Sequence, residues 1–374
     1  MSISKMNTEQ YFQELEKLVN IDSGSGNPAG IRRVADFLAA KYRALGLRTE
    51  ILPREGAGCC LTACNYEEGP ADLLLVGHMD TVFPDGTAAA RPYHMDADNA
   101  YGPGVLDMKA GDLLIPCLIA RWQETLPGLR ILIAHNGDEE TGSVASAEWL
   151  KELARGARYA LVMEPGRPGG KFVRARRGCV DITLLLHGIP SHACNAPEKG
   201  ASAILELAHW CPELFKENDY PAGVSINPGV ISGGTAPNVV AEYAECRFDV
   251  RFSTLEGIVK IRNAFRRLAE NMHVKGVTAS WEEHGYCAPM ETSPASEELI
   301  RCIRETADAL SLETDFLSVG GTSDANNISE AGTPVLCGCG PCGENQHSDK
   351  EYMILRSVEE RYALVGSAVE RLFG

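Results

Sequence analysis

In residues 73–84, LLLVGHMDTVFP, a run of apolar residues is followed by two side chains that can bind a metal ion or orient a metal ligand. His78 and Asp80 are two positions apart, and alternate residues of an extended strand face the same side. Buried parallel strands have continuous apolar sequences, and ligands bind beyond the carboxyl ends of such strands. We therefore interpret His78 as a candidate metal ligand, with Asp80 placed to accept the other imidazole N–H.

Four further segments put carboxylates or an imidazole at the ends of predicted strands or in loops beside them. These residues are Asp107 in YGPGVLDMKAGD, Glu139 and Glu140 in ILIAHNGDEETGS, Glu164 in ALVMEPG, and His347 in GENQHSDKEY. Each has an ordinary structural alternative, such as a helix N-cap for Asp107 or a solvated charge at a helix start for the glutamates. The recurrence of ligand residue types at several strand ends favours one shared metal site over separate coincidences.

Two histidines and three carboxylates suit borderline divalent ions, of which zinc is the most common in proteins. A carboxylate shared between two ions would hold them about 3.5–4 Å apart, and such a pair activates water and polarises a carbonyl group. One carboxylate of the 139–140 pair then remains to take the water proton as a general base.

Composition excludes several classes of partner. Lysine and arginine number 35 and aspartate and glutamate 51 in 374 residues, so the formal charge is −16. That balance argues against a nucleic acid or an anionic membrane as partner, because phosphate neutralisation needs a basic surface. No apolar run approaches the roughly 20 residues of a membrane span, and MSISKMNTEQYF has no apolar signal core. We expect a cytoplasmic protein whose thirteen cysteines are reduced thiols.

The order of predicted elements indicates an α/β domain, a mixed sheet flanked by helices, interrupted by a smaller one. Up to about residue 177, short apolar runs alternate with helical periodicity, and the same texture returns after 289. Residues 178–288 read instead as βαββαβ, the order of a two-layer, ferredoxin-like α+β domain. We predict a catalytic zinc-binding domain of residues 1–177 and 289–374, with an inserted domain of residues 178–288.

Seven motifs, in this order along the chain, carry a family resemblance: GHMDTV, YGPGVLDMKAG, DEETGS, MEP, GIPSHA, GGTSDA and QHSDKEY. The sequence resembles the two-zinc metallopeptidase family of glutamate carboxypeptidase, acetylornithine deacetylase, succinyl-diaminopimelate desuccinylase and aminoacylase. The resemblance extends from about residue 9 to residue 371 and is greatest to the bacterial glutamate carboxypeptidase branch.

The resemblance implies roles for the residues of the large domain. It implies two zinc ions, for which cobalt or manganese ions can substitute, and a general base at Glu139. The implied ligands are His78 and Glu164 for the first ion, Glu140 and His347 for the second, and Asp107 as the carboxylate that bridges both. Asp80 would orient His78 and so contribute to catalysis.

In the inserted domain the resemblance implies residues that contact the substrate. His192 of PSHA matches a histidine that helps hold the oxyanion or the substrate, and Asn238 and Arg251 match residues that bind the substrate carboxylate. Thr322 of GGTSDA, outside that domain in sequence, is a further substrate-binding candidate. Cys194 departs from the glycine usual after SHA, which bears on substrate fit. The inserted domain is expected to act as a lid and to pair two subunits into a homodimer.

Structural alternatives compete with two assignments. Arg251 could be a strand residue paired with a surface acid such as Glu245, a common and weak interaction. Cys337, Cys339 and Cys342 have C-x-C-x-x-C spacing, which could form a thiolate metal site or a redox pair. A closed structural zinc site needs a fourth ligand and no second cysteine pair is evident, so small buried thiols are the simpler interpretation.

The expected function is therefore zinc-dependent hydrolysis of an amide bond next to a free carboxylate, releasing a C-terminal amino acid such as glutamate. The alternative is an N-acyl-amino-acid deacylase or a di- or tripeptidase, with a small peptide or N-acyl amino acid as substrate. A catalytically silent binding protein on the same fold is the rival from another class. All five proposed ligand residues and the base are present, which counts against it.

Overall fold

Residues 6–374 are described by the structure, a computed structural model. The chain divides into two compact units. The first unit comprises the chain as far as Ala175 together with Thr292–Val319 and Ser323–Gly374; the second comprises Arg176–Glu291 and Gly320–Thr322. The sequence predicted the boundaries of the inserted domain at 177/178 and 288/289. The lid and dimerisation roles of the inserted domain stay predictions.

A six-stranded mixed sheet forms the centre of the first unit, in the order β1-β2-β6-β3-β7-β14. Its strands are β1 (Arg48–Arg54), β2 (Gly58–Cys64), β3 (Ala71–His78), β6 (Ile131–Asn136), β7 (Ala157–Val162) and β14 (Val335–Leu336). Strands β6, β3, β7 and β14 are parallel, whereas β2 pairs antiparallel with both β1 and β6. The carboxyl ends of three parallel strands, β6, β3 and β7, therefore lie side by side.

Helices surround this sheet. They are α1 (Thr8–Val19), α2 (Pro28–Ala44), the short α3 (Thr87–Ala90), α4 (Ala110–Thr125), α5 (Ala147–Arg155), α8 (Pro294–Leu310), α9 (Asp324–Glu330) and α10 (Leu355–Phe373). The side chain of Asn7 caps α1 and that of Asn27 caps α2, each accepting a hydrogen bond from a backbone N–H three residues on. Among the described residues, no helix has both the length and the apolar character needed to cross a membrane.

Both faces of the central sheet are buried. Leu73 and Leu75 pack into a core with residues of α1, α2, α4, α8 and α10. On the opposite face Leu74 and Val76 are 0% exposed, and α5 and α9 contact the neighbouring strand β7. Along β3 the two ionisable residues, Asp72 and His78, lie near the ends of the strand, and the residues between them are apolar or glycine.

A small antiparallel sheet brings two distant loops together. It consists of β15 (Gly343–Glu344), β16 (Tyr352–Ile354), β5 (Asn99–Tyr101) and β4 (His94–Met95), in that order, while β8 (Phe172–Arg176) pairs separately with β13 (Phe316–Val319). Tyr352 of β16 lies opposite Tyr101 of β5. The turn after β5 contains Asp107, and the loop between β15 and β16 contains His347. This pairing therefore brings the two segments alongside each other.

The second unit has the predicted order β-α-β-β-α-β. Its elements are β9 (Gly178–His187), α6 (Ala203–Phe215), β10 (Ser225–Gly233), β11 (Tyr243–Phe252), α7 (Leu255–Glu270) and β12 (Thr278–Cys287). The four strands form an antiparallel sheet in the order β10-β11-β9-β12. Burial alternates along β9, so that Val180, Ile182 and Leu184 pack in a core with residues of α6 and α7, while the odd-numbered residues lie on the other face.

Candidate metal centre

His78 is the last residue of β3 and is 2% exposed. Its Nδ1 lies 3.0 Å from the backbone carbonyl oxygen of Asp80 and 3.4 Å from the Asp80 carboxylate. The sequence suggested the carboxylate as the partner, but the carbonyl is nearer. A carbonyl only accepts hydrogen bonds, so Nδ1 carries a proton and Nε2 is the nitrogen left to bind a metal ion.

The Asp80 carboxylate also holds the loop that contains Glu139 and Glu140. It accepts the backbone N–H groups of Glu139 at 3.2 Å and Glu140 at 3.1 Å, and the hydroxyl of Ser25 at 2.7 Å. Charge-assisted hydrogen bonds of this kind are strong and directional. Asp80 therefore positions both glutamates through their backbone as well as holding His78.

Asp107 lies between the two histidines. Its Oδ1 is 3.3 Å from Nε2 of His78 and its Oδ2 is 3.4 Å from Nε2 of His347. The helix that follows begins at Ala110 without a side-chain cap, so the N-cap alternative for Asp107 is wrong. A carboxylate whose two oxygens face two different imidazoles has the arrangement needed to bridge two metal ions.

Glu351, which sequence reasoning missed, holds the turn that carries Asp107. It is 1% exposed, and its carboxylate accepts the backbone N–H groups of Gly104, Leu106 and Asp107, each at 2.9 Å. Burial raises the pKa of Glu351 to about 7 against the opposing effect of these hydrogen bonds. The QHSDKEY motif contains this residue, but an acid in a loop gives no signal of burial.

The remaining ligand candidates meet at the same place. His78 Nε2 lies 3.8 Å from Glu164 Oε1 and 4.0 Å from Glu139 Oε2, and His347 Nε2 lies 3.1 Å from Glu140 Oε2. Two overlapping sets of potential ligand atoms lie within 4.8 Å of one another: His78 with Asp107 and Glu140, and His78 with Glu139 and Glu164. We call the six residues His78, Asp107, Glu139, Glu140, Glu164 and His347 the ligand cluster.

The charges of the ligand cluster favour a cation at its centre. Burial raises the pKa of Glu139, and the neighbouring Glu164 raises it further. Burial would raise the pKa of Asp107 as well, but hydrogen bonds from His347 and His78 outweigh it and lower that pKa. The same contacts with Asp107 and Glu140 raise the pKa of His347 to about 10. Positive charge is therefore held tightly among these carboxylates.

The donor atoms fit a divalent metal ion. Oε1 of Glu140 is buried and has no hydrogen-bond partner among the described residues, which is costly for a carboxylate oxygen unless another ligand satisfies it. Imidazole nitrogens and carboxylate oxygens together are ligands that zinc accepts.

Asp324 is a second supporting acid that the sequence did not single out. This first residue of α9 is 2% exposed and accepts hydrogen bonds from Asn136 Nδ2 at 2.9 Å and Ser143 Oγ at 2.5 Å. Burial raises its pKa to about 6. The two bonds clamp the loop between β6 and α5, in which Glu139 and Glu140 lie. Asp324 belongs to the GGTSDA motif, in which the sequence suggested Thr322, and not Asp324, as a functional residue.

A cavity of about 490 Å³ adjoins the ligand cluster and shares Glu140 with it. Residues 24–27, 81–85, 140 and 141 line the cavity; they include the acids Asp85 and Glu140 and no basic side chain. A second cavity of about 520 Å³ lies among residues of α1, α2 and α4 and shares no residue with the ligand cluster. Of these two cavities, the first is therefore the one that adjoins the ligand cluster.

Two of the predicted substrate residues are brought together within the second unit. The backbone N–H of Ala193 donates to the carbonyl of Asn238 at 3.0 Å, so the segments containing His192 and Asn238 run side by side. The exposed His192 accepts the backbone N–H groups of Cys194 at 3.1 Å and Asn195 at 3.3 Å through Nδ1. Its Nε2 is consequently the nitrogen that carries the proton and can donate.

Arg251 is paired, but with a different acid from the one suggested by the sequence. Its Nε donates to Asp249 at 2.8 Å, and the two side chains are 39% and 43% exposed. Glu245 instead pairs with Arg247 at 3.2 Å. Such an exposed pair contributes little to stability. Thr322 is exposed in the second unit.

The C-x-C-x-x-C thiols do not form a metal site with the ligand cluster. Cys337, Cys339 and Cys342 are 0%, 0% and 5% exposed, and neither ligand set found among the described residues includes them. Cys339 donates to the carbonyl of Leu336 at 3.4 Å, and Cys342 accepts from Arg361 at 3.5 Å. Their surroundings are those of structural thiols in a core.

Imidazole and carboxylate ligands gathered at the carboxyl ends of parallel strands, around an aspartate that faces two histidines, are typical of metal-dependent hydrolases. The model of Peptidase family M20/M25/M40 matches residues 74–371, and the chain belongs to that family. It is an enzyme that hydrolyses amide bonds.

The names of similar proteins denote several different activities. The chain is 28% identical over 362 residues to carboxypeptidase G2 of Pseudomonas sp. (strain RS-16), covering 94% of this chain and 86% of the relative. It is also 28% identical over 371 residues to succinyl-diaminopimelate desuccinylase of Hydrogenovibrio crunogenus, covering 93% and 95%. Aminopeptidase PepT from Bacillus cereus superimposes with a TM-score of 0.78 at 22% identity, covering 99% and 100% of the two chains, which shows a common fold.

Proposed function

We propose that this enzyme is a two-zinc metallocarboxypeptidase, which hydrolyses the amide bond next to a free carboxylate and releases a C-terminal amino acid such as glutamate. The observation that carries the metal part is Asp107, whose two oxygens face His78 and His347 at 3.3 and 3.4 Å. The match to carboxypeptidase G2 over 94% of the chain supports the choice of reaction.

We assign the six residues of the ligand cluster as follows. His78 and Glu164 would hold one ion, Glu140 and His347 would hold the other, Asp107 would contribute to both, and Glu139 would be the general base. When bound, the ions polarise the scissile carbonyl and lower the pKa of water. Distances alone would also allow Glu139 as a ligand. We favour the base role because Glu140, beside it, already contacts His347 at 3.1 Å, whereas Glu139 is 4.0 Å from His78.

In this mechanism the carboxylate of Glu139 takes a proton from the attacking water and delivers it to the departing amine nitrogen. Burial and the neighbouring Glu164 raise the pKa of Glu139, which suits a group that must both accept and return a proton near neutral pH. Asp80 keeps Glu139 in place through its backbone N–H. His192, whose Nε2 carries a proton, donates to the oxygen on which negative charge develops.

The guanidinium of Arg251 binds the free carboxylate of the substrate, and Asn238 assists it. The chain carries a formal charge of −16, so a local cation is needed to attract and orient an anionic substrate. Arginine offers two parallel hydrogen bonds to a carboxylate. The side chain of Arg251 is 39% exposed, which leaves it accessible to a ligand.

A second candidate is an N-acyl-amino-acid deacylase or a di- or tripeptidase. It is favoured by the relative named succinyl-diaminopimelate desuccinylase, which matches 93% of this chain. The same metal chemistry serves both reactions. The cavity beside Glu140 would then hold the acyl or amino-terminal part of the substrate.

The test combines a metal assay with a substrate panel. The purified protein should hold about two metal ions per chain, as a bridged pair requires. It should then cleave N-acyl-glutamate and short peptides that end in a free carboxylate. Preference for N-acetyl or N-succinyl amino acids over peptides would select the deacylase. A metal-loaded protein that turns over no member of the panel would refute hydrolysis of these substrates.

A further inference from the structure

Two cysteines of the second unit stand opposite each other on neighbouring strands. Cys179 near the start of β9 pairs in register with Cys287 at the end of β12. Residues directly opposite on antiparallel strands have Cα atoms about 4.5–5.5 Å apart. A disulfide spans Cα separations of about 4.4–6.8 Å. The backbone thus already has the spacing of a disulfide, and the two thiols donate weakly to nearby backbone carbonyls, Cys179 to Gly285 at 3.7 Å and Cys287 to Ala288 at 3.6 Å.

The pair is accessible, which distinguishes it from the other cysteine contact in this unit. Cys179 lies on the face of β9 opposite the core formed with α6 and α7, and both Cys179 and Cys287 are half-buried. Cys211 and Cys246 are also neighbouring thiols, but Cys246 is 0% exposed in the core of the unit. A dissolved reagent therefore reaches the first pair more readily than the second.

The charges around Cys179 favour its thiolate. The neighbouring Cys287 thiol lowers the pKa of Cys179 to about 7; burial opposes that shift and Arg251 contributes to it. Arg251 stands opposite Cys179 on β11, while Asp181 and Asp249 act in the other direction. Accessible thiols of lowered pKa beside a second thiol are the ones that react with oxidants.

We propose that Cys179 and Cys287 form a reversible oxidation site, which a small-molecule disulfide converts to an intramolecular disulfide bond. The Cys179 thiolate attacks one sulfur of the reagent, forming a mixed disulfide and releasing one thiolate. Cys287 then loses its proton, and its sulfur attacks the sulfur of Cys179, releasing the second thiolate. Two protein thiols are oxidised, and one reagent disulfide is reduced to two thiols.

The bond would link the two strands at the ends where the chain enters and leaves the second unit. β9 begins at Gly178 and β12 ends at Cys287, and the unit itself spans Arg176–Glu291. Oxidation therefore ties these two ends of the sheet together covalently. It also replaces the thiolate opposite Arg251 with a neutral sulfur.

The experiment uses the native full-length protein and oxidised glutathione at pH 7.5, followed by alkylation and peptide mapping by mass spectrometry. We expect a linked peptide containing Cys179 and Cys287 in most molecules, and its loss on adding dithiothreitol. Cys287→Ser should instead trap glutathione on Cys179, and Cys179→Ser should abolish the linked peptide. Cys302→Ser, a control at a buried cysteine of the first unit, should leave the linked peptide unchanged.

Wild-type protein that yields no Cys179–Cys287 peptide, or links another pair instead, overturns the proposal without need of any variant. The rate of alkylation of Cys179 by iodoacetamide provides a second measurement. Thiolate is the reactive form, so the rate should rise with pH through a midpoint of about 7. A midpoint near that of an ordinary thiol would overturn the role assigned to the thiolate.

Discussion

At the scale of single residues, two consecutive glutamates have different surroundings. Oε2 of Glu140 lies 3.1 Å from Nε2 of His347, whereas Oε2 of Glu139 lies 4.0 Å from Nε2 of His78. Asp80 binds the backbone N–H groups of both, so neither is placed by chance. The difference in side-chain contacts is the basis for giving one glutamate the role of base and the other that of ligand.

Replacing each glutamate by glutamine should separate these roles. Glu139→Gln keeps a side chain of the same shape but cannot accept the water proton, so metal content should persist while kcat falls about a hundred- to ten-thousand-fold. Glu140→Gln removes a charged ligand and should lower metal content. Metal analysis and steady-state kinetics on both variants decide the matter. Equal loss of metal in the two variants would show that the assignment is wrong.

Arg251 should determine the preference for a free carboxylate. Lysine keeps the charge but cannot form two parallel hydrogen bonds, so Arg251→Lys should raise KM sharply for substrates with a free carboxylate. Metal content and thermal stability should stay unchanged, because the side chain is partly exposed and its ion pair is with the exposed Asp249.

The measurement compares two substrates that differ only in whether the terminal carboxylate is free or amidated. Wild-type enzyme should prefer the free acid strongly, and Arg251→Lys should lose most of that preference. If the variant discriminates as well as the wild type, Arg251 does not bind the carboxylate and the deacylase becomes the better proposal.

At the scale of elements, the end of β3 is shaped by a buried polar group beneath Gly77. A Cβ atom at position 77 would lie 2.1 Å from Oδ1 of Asp112 and 3.0 Å from Nδ1 of His135. Asp112 and His135 interact at 3.1 Å, and His135 Nε2 is 2.7 Å from the hydroxyl of Tyr42. Residue 77 must therefore be glycine if His78 is to occupy its present position.

Gly77→Ala should accordingly damage both stability and metal binding. Overpacking a filled interior typically costs about 1–3 kcal/mol, and any shift of β3 that relieves it displaces His78. Gly128→Ala is the matched control, since a Cβ there meets no atom within 4 Å. Urea denaturation and zinc titration of both variants test this. A Gly77→Ala protein as stable as the control, with the same zinc affinity, would contradict the argument.

At the scale of the whole molecule, metal binding should contribute to folding stability. Ligands that bind only the folded state stabilise it by about 2.7 kcal/mol at a hundredfold excess over Kd. Burial raises the pKa values of Glu139 and Glu140, so a cation among them offsets an electrostatic cost. Chelation should lower the Tm, and added zinc should restore it. An unchanged Tm on verified removal of the metal would count against a site in the ligand cluster.

The second unit is the proposed lid and dimerisation domain. Its strand β10 is at the edge of the sheet and exposes Val230 by 52% and Ile231 by 60%. Ile231 lines a cavity together with Ile204 of α6, which is 45% exposed. Apolar side chains gathered on an edge strand and a helix favour pairing with another chain. Closed two-fold dimers are the commonest way to cover such a surface.

Ile231→Lys should therefore convert a dimer to monomers at micromolar concentration, as sedimentation velocity would show. Val144→Lys alters a residue of the first unit that is 85% exposed and should leave the mass unchanged. A strictly monomeric wild-type protein would remove this part of the proposal. Closure of the second unit over the substrate is a separate prediction, and a cross-link between the units that left activity intact would contradict it.

The sequence by itself was enough to predict the candidate ligand residues and the main elements. Continuous apolar runs predicted β3, β6 and β7, because strands buried on both faces need no polar alternation. The order β-α-β-β-α-β followed from the same local patterns. These features depend on residues close together in the chain, so they can be predicted without coordinates.

Tertiary structure alone decided which residues support the site and which strands pair. Neither β1 nor β2 was predicted, since charged residues and proline interrupt one and glycine, cysteine and alanine dominate the other. Glu351 and Asp324 hold the loops of Asp107 and Glu139 across long separations in sequence. Burial of an acid and the register of two strands depend on contacts between distant segments. Local composition and periodicity do not predict those contacts.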